Sequence, residues 1–447
     1  MASDDNAARC GTGHREPGMT GETPPRSPAR HRVTALALAL LAVTGACTRS
    51  EEKDPGISAK PSGPVAERPL AAGVDYRESV HRGPAGPVRI SVLRIAPDAE
   101  ARLVGAHGAS MALPQTVRQA ARRAGALAAV NGSYFDIKGG KAYSGYPGDP
   151  VGLYVENGRV LSEARDDGAA LLLGHRDGHL WARITEVATP GLITADDGQT
   201  RRLDGVDRVA GRLRPCRGTD HDRLAAEGRV WRQDPATGLC EDPDEIVEFT
   251  PDWGVATPSG DGVEAVLNGD GTVGRLRSPA GGPVPKGGRV LYGIGEGADW
   301  LREHARPGTT PDVSIPLTDS SGEDLTDFVD TAVGGGRRLL SGGRVVLSER
   351  DRAATDRPPR TLAGVTADGS VLLVTVDGRD PGASEGATLA ESAGLLSSLG
   401  AVDGLNLDGG GSTTMVVGGE LRNRPREAVG DPVGERKVAT VLALLPR

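Results

Sequence analysis

From Val74 onward the chain is written in short runs of alternating apolar and polar residues. PVRISVLRI alternates as a strand, and RLVGA follows as a second. The period then changes: ALPQTVRQAARRAG places Val117, Ala120, Ala121 and Ala124 at helical spacing, with Gly125 as the stop. An apolar strand, ALAAV, and the loop NGSYFD come next. Two-residue turns then recur between strand-like runs, at Asn157-Gly158, Asp270-Gly271, Gly342-Gly343 and Asp368-Gly369. The pattern predicts an α+β fold: mixed, mainly antiparallel sheets with a few packed helices. It forms one globular unit over 73–447, within which 73–130 is an N-terminal α/β part. Residues 202–253, polar and irregular, read as a surface-facing insertion, and 330–447 as the region where the motifs concentrate.

The N-terminus does not belong to that unit. Arg26, Arg30 and Arg32 precede an apolar run from Val33 to Ala46, too short for a permanent membrane anchor and ending in small residues, as an export signal does. LAVTGAC resembles a bacterial lipobox with Cys47 as the lipid-bearing first mature residue, although Thr44 stands where a larger aliphatic residue is usual. Two outcomes follow: a lipoprotein on the outer face of the cell membrane, or plain secretion. Residues 1–47 are thus leader and signal, with Met19 an alternative start, and 48–72 form a polar, Pro- and Gly-bearing tether.

Composition narrows the picture. Aromatics make up 3% of the 447 residues while Gly (65) and Pro (32) are abundant, which favours short strands and turns over helical bundles. A net charge of −8 with no basic stripe argues against nucleic acid as a partner. Once Cys10 in the leader and Cys47 are set aside, Cys216 and Cys240 remain, and an even pair in an exported chain reads as a disulfide. Neither has a second Cys or His at metal-ligand spacing. His175 and His179 are four apart but flank an Asp-Gly turn, so they do not share a helix face.

The chemistry-bearing residues gather in loops near the C-terminus: RPPRTLAG (357–364), VDGRDPGASEGATLAE (376–391), NLDGGGSTT (406–414), ELRNRP (420–425) and GERKVAT (434–440). Arg360, Arg379 and Arg436 offer guanidiniums, and Gly409, Gly410 and Gly411 offer backbone amides without Cβ atoms in the way. Together these suit a phosphate, sulfate or carboxylate group. Asp377, Asp403 and Asp408 supply carboxylates whose oxygens would suit Ca²⁺ or Mg²⁺, although nothing in the pattern requires a metal or other cofactor. Ser412 is not in a nucleophile-elbow context and has no nearby histidine, so it reads as a hydrogen-bond donor. An internal echo links two of the loops. TVRQAARRAGALAAVNGSYFD, from Thr116, and TLAESAGLLSSLGAVDGLNLDGGGS, from Thr388, share the order helix, Gly-Ala break, apolar strand, Asn- or Asp-Gly loop. Both loops are thereby placed at strand ends, where ligands commonly bind.

The run RTLAG, VDGR, SEGATLAE, GAVDGLNLDGGGSTT, NRP and ERKVAT resembles the phosphodiester glycosidase family. NGSYFD is similar to the family's NGGFF motif, with Ser133 for the second Gly and Tyr134 for the first Phe. The resemblance extends from about Asn131 to the C-terminus. It implies hydrolysis of a sugar-1-phosphodiester at the glycosidic bond; the expected export, not the resemblance, adds cell-envelope glycopolymers as a substrate class. Asp408 and Asp377 are then the leading catalytic carboxylates, followed by Glu391, which also fits a capping box begun by Thr388. Asn131, Thr361, Asn406, Ser412 and Thr413 join the arginines and glycines as substrate-binding residues, and Asp136 flanks the same loop. Two other readings of the residues stay open: a metal-dependent phosphodiesterase that cleaves P–O, and a wall-glycopolymer binding protein without turnover. Oligomeric state is not readable from the sequence.

Overall fold

The computed structural model describes residues 56–136, 148–165, 168–213 and 240–447. The export signal, Cys47, most of the tether's first half and Cys216 lie outside these residues. Strands account for 44% of the chain and helix for 10%, so the expectation of an α+β fold is corrected to a predominantly β one. Only four α-helices punctuate the described chain: Val117–Ala124, Gly295–His304, Glu349–Ala353 and Leu389–Ser398.

An eight-stranded antiparallel sheet is the backbone of the molecule. Its central strands are Gly86–Ile95, Val371–Val376, Arg360–Thr366, Ala401–Asn406 and Arg337–Ser341, in that spatial order. A five-stranded antiparallel sheet is built from Glu420–Leu421, Met415–Val417, Ala128–Asn131, Thr440–Pro446 and Ala101–His107. A six-stranded sheet that includes Arg159–Ser162, Tyr154–Glu156 and Thr331–Gly334 completes the centre. One apolar core is shared by all three: Leu93, Leu373 and Leu405 from the first, Val130, Met415 and Leu442 from the second, Tyr154, Leu171 and Val333 from the third. Burial on both faces explains why strands such as VLLVTV read as continuous apolar runs instead of alternating.

Each of the first two sheets carries a helix on its outer face. Leu389–Ser398 packs Ala393, Leu395 and Leu396 against Leu340, Leu362 and Val374. Val117–Ala124 packs Val117, Ala120 and Ala121 against Ala129, Val441 and Ala443. Both helices start with a full capping box, Thr116 with Gln119 and Thr388 with Glu391, in which each end of the motif satisfies an otherwise orphaned backbone N–H. The sequence echo is therefore structural: two helix–strand–loop units lie on different sheets, and their loops meet.

The four predicted two-residue turns each join paired antiparallel strands, with Asn157 and Gly158 both left-handed at φ 51° and 74°. The described parts of the stretch read as an insertion, 202–213 and 240–253, contribute to the packed structure. Gly205–Val206 and Ile246–Phe249 are strands of a separate five-stranded sheet, and Trp253 is fully buried. Part of the polarity of the stretch's described residues is internal. Arg208 donates to Glu245 at 2.6 Å and to Glu163 at 2.7 Å, while Thr250 Oγ1 donates to the buried Asp207 at 2.6 Å. Paired buried charges look like surface in a sequence. No disulfide is found among the described residues, and Cys240 lies on the short strand Cys240–Glu241, opposite Leu213.

Candidate active site

Antiparallel pairing brings the ends of four chain segments to one edge of the eight-stranded sheet. Arg360 opens its strand opposite Val376, which is followed by Asp377, while Asn406 closes its strand opposite Leu362 and Arg337. The loop that follows Asn406 then crosses to the five-stranded sheet and is pinned there by Asn131. Its Nδ2 donates to the Asp408 carbonyl at 2.7 Å, and its Oδ1 accepts from Thr361 Oγ1 at 2.7 Å and the Thr414 N–H at 3.0 Å. Asn131 is fully buried and both ends of its amide are taken up by these bonds, so it acts as the joint between sheets.

Asp408 is 8% exposed, and burial pushes its carboxyl up to about 7. Opposing that shift are the Ser412 hydroxyl, the charge of Arg436 and the Gly409 N–H, in that order, while Glu427 reinforces it. Ser412 is a relay: its Oγ accepts from Arg436 Nη1 at 3.2 Å and bonds the Asp408 carboxyl. Arg436 is itself held by both oxygens of Glu427. Thus the loop surrounds an acid poised to change protonation near neutrality.

The glycines serve this geometry by close approach. A Cβ on Gly411 would lie 2.3 Å from Glu427 and 2.6 Å from Arg436, and Gly410 is left-handed at φ 62°. The Gly410 N–H, expected to hold phosphate, instead donates to the Pro359 carbonyl at 2.8 Å. Arg379, at φ 59°, donates to the carbonyls of Arg426 and Glu427 and so fixes the loop that carries Glu427. Thr413 is fully buried, and its carbonyl accepts from Asn423 Nδ2 at 2.9 Å.

Asp377 is 2% exposed, with burial raising its carboxyl. Its Oδ1 accepts from Asn423 Nδ2 at 3.1 Å and from the Arg424 N–H at 3.0 Å, while Arg89 Nε stands 3.8 Å from Oδ2. Those contacts tie down the 413–424 segment. Glu391 lies one layer back, with one oxygen on the Thr388 N–H at 2.8 Å and the other on Arg357 at 2.6 Å. Asp136, beyond Tyr134 and Phe135, is buried, and its N–H donates to the Asp149 carbonyl at 3.0 Å. Asp403 faces elsewhere, bonded to Arg338 and the Gly342 N–H, so Asp377, Asp403 and Asp408 are not assembled around a common point. Among the described residues no group of three or more His, Cys, Asp or Glu is placed to hold a metal ion.

Two participants had no motif to announce them as binding groups. Tyr134 interacts electrostatically with Asp408, Arg360 and Arg165, and burial raises its phenol to about 12, keeping it neutral. Arg165 and Arg360 are each pulled below the usual guanidinium range by burial, and both lie within electrostatic reach of Tyr134. Arg360 Nε donates to the Ala387 carbonyl at 3.0 Å, and neither guanidinium is in an ion pair among the described residues. The site thus contains half-buried positive charge that no ion pair among the described residues neutralises.

Residues 261–445 match the family model described as phosphodiester glycosidase. A solved structure of a Burkholderia pseudomallei protein described as exported superposes with a TM-score of 0.74 at 26% identity, covering 88% of this chain and 98% of that one. A hypothetical protein from Synechocystis follows, with a TM-score of 0.65 at 20% identity, covering 86% of this chain and 64% of its own. The zebrafish N-acetylglucosamine-1-phosphodiester alpha-N-acetylglucosaminidase catalytic domain aligns at 14% identity with a TM-score of 0.38, over 88% of this chain and 87% of that one. No curated protein matches the chain.

Proposed function

We propose, from the premise that residues 261–445 carry a phosphodiester glycosidase domain and so make the chain a hydrolase of phosphodiester-linked sugars, that the bond cut is the C–O link of a sugar-1-phosphodiester. Water adds to the anomeric carbon, the sugar is released and a phosphomonoester departs. A phosphate leaves as a stable anion, so the main demands are to hold its charge and to stabilise an oxocarbenium-like carbon. The observation that carries this reading is Asp408, a nearly buried carboxyl at about 7, held by Ser412 and standing beside Tyr134. Ionised, it faces the anomeric carbon; Arg165 and Arg360, which lack a protein counter-ion among the described residues, take the phosphate. Asp377 acts through Asn423 and Arg424 to position the loop, and Arg436 sets Ser412.

Export agrees with the Arg-flanked apolar run ending at Ala46 and with the description of the Burkholderia relative; a lipid on Cys47 would place the enzyme at the outer membrane face, against glycopolymers of the cell envelope. Hydrolysis in ¹⁸O-water tests the bond assignment. Label in the released sugar is the expected result, and label in the phosphate would mean P–O cleavage and overturn it.

A further inference from the structure

Beside Asp408 lies a hydrogen-bonding pair whose capacity is half used. Asn406 is 2% exposed, and its Nδ2 donates to the Tyr134 hydroxyl at 2.8 Å and to the Leu407 carbonyl at 2.9 Å. The contact with a carbonyl fixes the amide's orientation, because the reverse flip would set oxygen against oxygen. Asn406 Oδ1 is then a buried acceptor without a partner among the described residues. The Tyr134 hydroxyl, in turn, is already an acceptor, so its own proton remains to be donated. Gly336 makes room for the ring, since a Cβ there would sit 2.8 Å from the Tyr134 oxygen, and its N–H holds the Asn406 carbonyl at 2.8 Å.

One free acceptor and one free donor, side by side, match a group that both donates and accepts. A phosphate oxygen cannot donate to Asn406 Oδ1, and the two guanidiniums nearby already suit the anion. We propose that Tyr134 and Asn406 form a specificity clamp for one hydroxyl of the sugar ring, near the carbon that Asp408 attends. That hydroxyl donates to Asn406 Oδ1 and accepts from the Tyr134 O–H. The clamp deepens the sugar-1-phosphodiester reading and rests on it.

The test is a substitution cycle on the full chain with a panel of methyl hexose-1-phosphate diesters and their monodeoxy analogues. Tyr134→Phe removes one oxygen and is checked for folding by its thermal transition. On the best hexose, kcat/KM should fall roughly ten- to a hundredfold. Wild type should show a loss of that order on one particular deoxy analogue, and the variant, which keeps only the Asn406 bond to that hydroxyl, should lose clearly less on it than wild type does. A variant whose kcat/KM equals wild type on the parent sugar, or which falls by the same factor on every analogue, overturns the clamp while leaving the hydrolase reading intact. If wild type turns over no member of the panel, the substrate reading fails and takes the clamp with it.

Discussion

Replacing Asp408 with Asn should abolish turnover and, at alkaline pH, change how tightly the protein holds its fold. In the folded state the carboxyl ionises at about 7, against an ordinary value of 3.8. Because the folded pKa is the higher, the native state keeps a proton that the unfolded chain has released between these two values. Stability from this group is therefore complete below 3.8 and is lost as pH rises through 7. Every pH unit between the two values is worth about 1.4 kcal/mol. Between pH 5 and pH 8 the wild type should lose roughly 3 kcal/mol that the variant keeps. The constant part of the substitution, such as a weaker bond from Ser412, is present at both pH values and cancels from the comparison. Urea melts of the two proteins at pH 5 and pH 8 give the number directly. Other buried acids, Asp204 at about 7 among them, contribute equally to both and drop out. If the stability difference between variant and wild type is the same at both pH values, Asp408 ionises in the ordinary range, and the argument for a neutral-range acid at the site is refuted.

Three further outcomes follow from the same geometry. The pH profile of kcat/KM should rise about tenfold per unit on the acid side and level near 7, because the ionised form of Asp408 is the working one; a flat profile from pH 5 to pH 8 would remove it from that role. Arg165→Ala should lower kcat/KM roughly ten- to a hundredfold, mostly through KM, while the thermal transition holds or rises because a half-buried guanidinium with no ion pair among the described residues has gone; unchanged kinetics would place the phosphate elsewhere. Asn131→Ala should cost roughly 3 kcal/mol in urea unfolding, since it strands Thr361 Oγ1, the Thr414 N–H and the Asp408 carbonyl together; a loss under 1 kcal/mol would deny it the role of joint.

Much of the candidate site is legible without the fold, because NLDGGGS and its flanking motifs are contiguous and their chemistry is local. Asp408, Ser412, Arg360 and Asn131 come from such stretches. Arg165 does not: SEARDD has no period and no motif, and its importance arises only when burial leaves its charge without a partner. Division of labour is also hidden. Asp377 and Arg379 are near the centre, yet their bonds go to Asn423, Arg424 and the carbonyls of Arg426 and Glu427, which a sequence cannot show. Fold class misleads because two well-capped helices give strong local signals, whereas most of the chain's strands are short and weakly patterned. Residues 202–253 mislead because Arg208, Glu245 and Asp207 find their partners inside the protein.

The stretch that matches the family model starts at residue 261, whereas Asn131, Tyr134 and Arg165 come earlier in the chain. A fragment cut to the matched boundaries would hold Asp408 and lack Asn131, Tyr134 and Arg165. The proposed site is thus shared between the matched stretch and the chain before it, and neither portion alone would carry it.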